Sequence, residues 1–301
     1  MVRGDSQLLT PRSLVKRWAK ALVYPRFLRR FDAYLVVGQR AREYYLAYGA
    51  DPRRMFDCPH FVDNERFASQ ADELRPRRAE IRRRWGIPEE AFCAAFCGKF
   101  IPKKRPMDLV RAAAQTQTHR ADGRPIHLLF VGSGELGDAM RRGCHVVYDA
   151  ERAAHGSPGA DGAAASFVGF LNQSEIAAAY VAADALVLAS DGGETWGLVV
   201  NEAMACGIPA IVSDRVGCAP DLVTDGETGE VVPVGDVDRL AGVLRRWAGD
   251  PALVEQLGAG ARARIANYSI GAAVDGAVAA VQCVSRGRKT SDMPQRSEAT
   301  W

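Results

Sequence analysis

No apolar stretch near the amino terminus is followed by a small-residue cleavage site, and no uninterrupted apolar run approaches the length of a membrane span. Secretion and membrane insertion are therefore not expected, and the Asn172-Gln173-Ser174 and Asn267-Tyr268-Ser269 tripeptides lose their meaning as glycosylation acceptors. Paired cysteines are lacking too. The seven present (Cys58, Cys93, Cys97, Cys144, Cys206, Cys218 and Cys283) are odd in number and nowhere spaced C-x-x-C, which argues against a disulfide framework or zinc site and fits a reducing cytoplasm. Cys93 and Cys97 lie in the apolar run AFCAAFCG and read as core. Nor is there a large excess of charge: a net +3 with 25% charged residues offers no footprint for nucleic acid. What remains is a globular chain of 301 residues, 48% hydrophobic, large enough for one or two cored domains.

Basic charge is concentrated locally. Between Arg12 and Arg30, Lys16, Arg17, Lys20, Arg26, Arg29 and Arg30 alternate with Leu14, Val15, Trp18, Leu22 and Phe27, with Pro25 limiting the helix. Such a segment suits either the surface of an anionic bilayer, at the inner face of the membrane, or a helix packed on its own protein. Beyond it come a short strand, YLVVG, and a helix ending at Gly49, and Met55–Phe67 reads as strand, turn and linker. From Ala91 onward the pattern becomes regular: short continuous apolar runs (AFCAAFC, IHLLFV, ASFV, ALVLAS, PAIVSD, GEVVPV) alternate with helical segments. Strands that are apolar throughout are buried on both faces, so the reading is α/β, a Rossmann-like parallel sheet. The expected division is a partial N-terminal domain with linker over 1–86, the sheet domain over 87–266, a C-terminal helix over 267–284 and a frayed tail over 285–301. Residues 151–165, rich in Gly and Ala, read as a surface loop.

The most informative segment is ETWGLVVNEAMACGIPAIVSD. Glu194 falls in the loop after a strand and Glu202 on the following helix, so both face the crevice at the carboxyl end of the sheet, where open α/β sheets bind ligands. Gly197 permits close backbone approach, and the amides of Gly197, Leu198 and Val199 open a helix, an arrangement suited to an anion such as a diphosphate. Two glutamates at this spacing would mean little without the string that encloses them.

That string, Glu194-x7-Glu202 within ETWGLVVNEAMACGIP, resembles the signature of family 4 glycosyltransferases, which have the GT-B fold, and the likeness runs in ordered pieces from Phe31 to Ala280. The resemblance implies that Glu194 contacts donor-sugar hydroxyls and Glu202 holds the ribose, with Trp196 standing where the family often has phenylalanine. GKFIPKKRP is similar to the family's Gly-Arg-x-x-x-x-Lys stretch, which places Lys99 and Lys104, after Gly98, on the donor diphosphate. Lys99 would lack the bidentate reach of the family's arginine. FVGFLNQSEI is similar to the strand-end turn whose main chain, here at Phe170 and Leu171, reads the base, with Asn172 or Ser174 as helix cap. The run Gly132-Ser133-Gly134-Glu135-Leu136-Gly137 fits a dinucleotide fingerprint but follows the second strand of its domain rather than the first; Gly134 and Glu135 are donor-lining candidates instead. Asp236-Val237-Asp238 reads as a helix start, not a metal clamp, and Arg3-Gly4-Asp5 does not suit a cytoplasmic chain as an integrin ligand.

The resemblance implies hexosyl transfer from a UDP-sugar or GDP-sugar to an unidentified acceptor (lipid-linked, glycan or small molecule), with retention and without a required cofactor or metal. Only about eighty-five residues precede the regular domain, so the acceptor half is expected to be partial, and none of His60, His119, His127, His145 and His155 matches the family's acceptor-side histidine. The rival readings are a nucleotide-sugar-binding protein without transfer, an NAD(P)-dependent oxidoreductase built on the Gly132 run, and a sugar-nucleotide epimerase.

Overall fold

A computed structural model describes residues 1–11, 13–117, 124–152 and 162–291, and these form two compact units. Most of the expected 151–165 loop and the tail beyond 291 lie outside the described residues.

The smaller unit takes 1–8 and the described parts of 12–60 and 270–301. Strands β1 (Val2–Gly4), β2 (Tyr34–Val36) and β3 (Met55–Asp57) pair in parallel, joined by α1 (Leu14–Leu28) and α2 (Gln39–Ala47). Leu28, Tyr34, Val36, Tyr44 and Tyr45 fill its core. Pro25 does not break α1 as the sequence suggests: the helix passes through it, and the Arg29 amide returns to the Pro25 carbonyl at 3.2 Å.

The larger unit, Leu9–Pro11 with Phe61–Ser269, holds seven parallel strands in the order β10-β9-β8-β4-β5-β7-β6. They are β4 (Phe92–Cys97), β5 (Ile126–Val131), β6 (His145–Asp149), β7 (Ala164–Phe167), β8 (Ala185–Leu188), β9 (Ala210–Ser213) and β10 (Gly229–Val232). The helices are α3 (Asn64–Leu74), α4 (Arg78–Arg84), α5 (Pro106–Gln117), α6 (Gly137–Arg142), α7 (Ile176–Ala182), α8 (Leu198–Ala205), α9 (Ala219–Leu222), α10 (Val237–Gly249) and α11 (Pro251–Ile265), and α12 (Ile270–Ser291) returns to the smaller unit. Every residue of β4, β5 and β8 is buried, as continuous apolar runs require. Asp236 accepts the Arg239 amide and caps α10. With α3 and α4 packed on α7 and α8, residues 61–86 lie in the larger unit and not with the N-terminal segment, and α12 runs past the expected 284. By length and hydropathy the run Pro251–Arg286 is apolar enough to span a bilayer, contrary to the reading of the sequence, but α11 buries Val254, Leu257, Ala261 and Ile265 in the protein.

The strand order sets where a ligand fits. From central β4 the chain moves to β5, β7 and β6 on one side, then crosses to β8, β9 and β10 on the other. The crevice lies where that direction reverses, at the carboxyl ends of β4 and β8.

His127 of β5 sits inside this sheet, its Nε2 2.8 Å from Ser166 Oγ, whose own proton goes to the Trp85 carbonyl. Nε2 therefore donates to Ser166, and burial, helped by Arg82, pushes the pKa down to about 4, so the imidazole is neutral at pH 7. An unfolded histidine takes up its proton near 6.5, so this contribution to stability is complete above that pH and drains away as the pH falls toward 4, by about 3 kcal/mol in all. Urea unfolding of wild type and His127→Leu at pH 7 and pH 4.5 should show the wild type losing more stability on acidification. Equal losses would contradict the assignment.

Candidate functional site

After β8 the chain forms a loop stapled at both ends. The Gly193 amide donates to Asp191 Oδ1 at 2.7 Å, the Glu194 amide to the Asp191 carbonyl at 3.1 Å, and the Asp191 amide to the Lys103 carbonyl at 2.8 Å. On the far side, the Gly217 and Cys218 amides, in the turn after β9, donate to the Glu194 and Trp196 carbonyls, each at 3.0 Å. Trp196 turns inward; its buried indole N–H reaches Asn201 Oδ1 at 2.8 Å, fixing the loop to α8 rather than lining an open surface. Gly197 then enters α8 at φ +106°, where a Cβ would lie 2.8 Å from Leu188 Cδ2, so only glycine fits. The first amides of α8, at Leu198 and Val199, have no helix carbonyl upstream to bond, which leaves a weakly positive end facing the crevice.

The β4 side is built by glycines as well. A Cβ on Gly132 would stand 2.1 Å from the Gly98 carbonyl oxygen, and one on Gly134 2.6 Å from that of Phe100. The loops after β4 and β5 thus lie backbone to backbone, joined by the Phe100 amide to the Ser133 carbonyl at 2.9 Å. Gly134 and Glu135 are exposed at the rim. Gly98 leads into a short turn, Pro102–Lys104, closed by Arg105 in a left-handed conformation at φ 50°. This turn aims Lys104 across the crevice, where Nζ pairs with Glu194 Oε2; the side chains are only 16% and 15% exposed, so solvent screens them little. Ser190 Oγ lies 3.4 Å from the same oxygen. Lys99 by contrast is exposed and makes no ion pair among the described residues.

One turn into α8, Glu202 is held from below the sheet edge. The Tyr180 hydroxyl donates to its Oε2 at 2.6 Å. Burial raises the Glu202 pKa, against the lowering effects of the Tyr180 bond and the Arg66 charge. After β7, Phe170 is 80% exposed and Leu171 partly buried. Neither Asn172 nor Ser174 caps α7, whose N-cap position is Glu175; Asn172 instead closes the turn before it, its Oδ1 accepting the Ser174 amide at 2.9 Å while the Asn172 amide donates to Glu175. Six of the cysteines are buried packing, with burial pushing the Cys93 thiol up to about 12, while Cys283 is exposed.

Lys104 and Glu194 are thus brought into contact, with the α8 terminus following directly, while Lys99 stands apart and Trp196 serves the scaffold. Tyr180, Ser190, Asp191 and Gly217 escape a reading of the sequence, since none carries a motif of its own. A separate 480 Å³ cavity, lined by Arg75, Arg78, Arg124 and Arg262, opens beside residues that lead into β5, β8 and β9, at the opposite edge of the sheet.

Comparison with known proteins agrees with this architecture. Residues 161–264 match the family described as Glycosyl transferases group 1. A D-inositol 3-phosphate glycosyltransferase of Kribbella flavida is 35% identical over 220 residues, 73% of this chain and 49% of the relative, and one of Geodermatophilus obscurus is 35% identical over 243 residues, 80% and 50%. The chain therefore spans about half the length of these relatives. Among solved structures, a sucrose-phosphate synthase from Thermosynechococcus elongatus superposes with TM-score 0.60 at 23% identity, covering 93% of this chain and 64% of its own. Anabaena HepE in complex with UDP and glucose gives TM-score 0.59 at 17% identity, covering 91% and 67%. The fold is of the GT-B type, and the segment 161–264 is similar to group 1 glycosyl transferases.

Proposed function

We propose that the larger unit binds a nucleoside-diphosphate sugar, with UDP or GDP as the nucleotide, and that the protein transfers the hexosyl group to an acceptor with retention and without a metal. The observation that carries this reading is the Lys104–Glu194 pair at the strand-order reversal, immediately before the α8 terminus. Lys104 and the amides of Gly197, Leu198 and Val199 receive the diphosphate, with Gly98 giving room for the lysine. Lys99 adds charge from the rim. A cation about 4 Å from a phosphate oxygen contributes on the order of 4 kcal/mol at an effective dielectric of ~20, and it gains most as negative charge grows on the departing nucleotide. Glu194, released from Lys104 by the phosphates, accepts hydroxyls of the sugar. Glu202 takes the ribose, the main chain at Phe170 and Leu171 meets the base, and Gly134 with Glu135 closes the sugar side. Isothermal titration with UDP and with GDP tests the proposal: binding of at least one is expected, and no heat from either at millimolar nucleotide removes the donor site.

For the acceptor we propose a molecule presented at an anionic membrane. Leu14, Val15, Trp18 and Leu22 of α1 are between 67% and 78% exposed. No acidic residue occurs between Pro11 and Phe31, while Lys16, Arg17 and Arg26 are exposed around this apolar face. Phosphatidylglycerol vesicles should sediment the protein at low salt and phosphatidylcholine vesicles should not. Failure with the anionic vesicles dismisses the membrane.

A further inference from the structure

We infer that Tyr180 is the positioning residue for ribose recognition, holding one oxygen of Glu202 so that the other is presented to the sugar's vicinal hydroxyls. The inference rests on the donor reading above and assigns a role to a residue outside the motifs that suggested it.

Tyr180 is fully buried, and its ring is fixed edge-on to Phe67 at 6.4 Å between centroids. Its hydroxyl donates to Glu202 Oε2 at 2.6 Å, the length of a charge-assisted bond, with the Cys97 thiol as a second hydrogen-bonding neighbour. Oε1 makes no hydrogen bond among the described residues, so each carboxylate oxygen has a separate task. Recognition of a cis-diol needs an acceptor that stays ionised and does not rotate. Burial works against the first requirement, and the Tyr180 proton together with the Arg66 charge works for it, with only the thiols of Cys97 and Cys206 as further titratable neighbours. The same bond opposes rotation, because turning Glu202 would cost the buried phenol its charge-assisted partner. The sheet supplies rigidity: α7 leads directly into β8, and Cys97, beside both groups, ends β4.

The discriminating pair of probes is UDP and 2′,3′-dideoxy-UDP, which share base and diphosphate and differ only in the hydroxyls Glu202 would meet. Tyr180→Phe removes a single oxygen and should weaken UDP about tenfold while changing dideoxy-UDP less than about twofold, the size expected for a charged-group hydrogen bond. In a Glu202→Gln background the same change should have no further effect on UDP. Equal weakening of both nucleotides means Tyr180 only supports the fold and overturns the inference, as does unchanged UDP affinity or full additivity in the double variant. If Tyr180→Phe does not fold, loss of the UDP preference in Glu202→Gln upholds the ribose contact, and an intact preference overturns it. Wild type that binds neither nucleotide overturns the donor reading itself, a result distinct from all of these.

Discussion

Gly217→Ala is expected to weaken UDP binding about a hundredfold although residue 217 touches no ligand in the proposed complex. A Cβ at this position would stand 1.8 Å from the Thr195 carbonyl oxygen, 2.3 Å from its carbon and 2.8 Å from the Trp196 nitrogen. Every atom it meets is backbone, so no side chain can swing aside; either the 194–197 loop or the turn after β9 must shift. That shift breaks the two hydrogen bonds that the Gly217 and Cys218 amides donate to the Glu194 and Trp196 carbonyls. A displacement of about 1 Å at reacting or binding groups costs roughly a hundredfold, and the strain itself costs about 3 kcal/mol of stability. Gly242→Ala supplies the control, since nothing lies within 4 Å of a Cβ there and the residue is inside α10. It should be neutral, or stabilise by up to about 1 kcal/mol, with UDP affinity unchanged. UDP titration and urea unfolding on both variants check the pair; wild-type affinity in Gly217→Ala would show that the loop is not held by this turn.

Lys104→Ala is expected to weaken UDP between about 10-fold and 100-fold, corresponding to one hydrogen bond to a charged group in a shielded position. Lys99→Ala should cost only a few-fold, because an exposed cation is screened by water and salt. Lys99 stands at the motif's arginine position and Lys104 at its lysine position, and they differ in space as well: Lys104 is 16% exposed and aimed at Glu194, whereas Lys99 lies on the surface. Salt dependence separates them further, with added chloride eroding the Lys99 contribution first. A larger loss at Lys99 than at Lys104 would reverse this assignment.

The alternation of apolar strands with helices was legible because a parallel sheet covered on both faces demands it, and β4, β5, β8 and β9 fall where their apolar runs predict. The segment from Glu194 to Glu202 stood out only through the whole string ETWGLVVNEAMACGIP and its family resemblance, since two glutamates at this spacing mean little alone. Other features depend on partners distant in sequence. Residues 61–86 look like a charged linker, yet Phe67 and Ala71 give α3 a buried stripe. Arg82, one of a run of arginines, is fully buried, donating to the carbonyls of Ala182, Pro88, Glu89 and Ala91 and to Asp184. Nothing local marks it as different from Arg83. Strand β6 sits at the sheet edge with a bulge between Val146 and Tyr148, so its half-exposed residues lack the continuous apolar signal of the central strands. Tyr180 reads as core, which it is, and its hydroxyl acquires meaning only when α8 brings Glu202 beside it.

A crystal structure of the chain with UDP bears most directly on whether one nucleotide joins these groups. The account predicts the diphosphate at about 3 Å from Lys104 Nζ and from the first amides of α8, with the ribose hydroxyls on Glu202. A diphosphate seated elsewhere, for instance among Arg75, Arg124 and Arg262 at the other edge of the sheet, would contradict it.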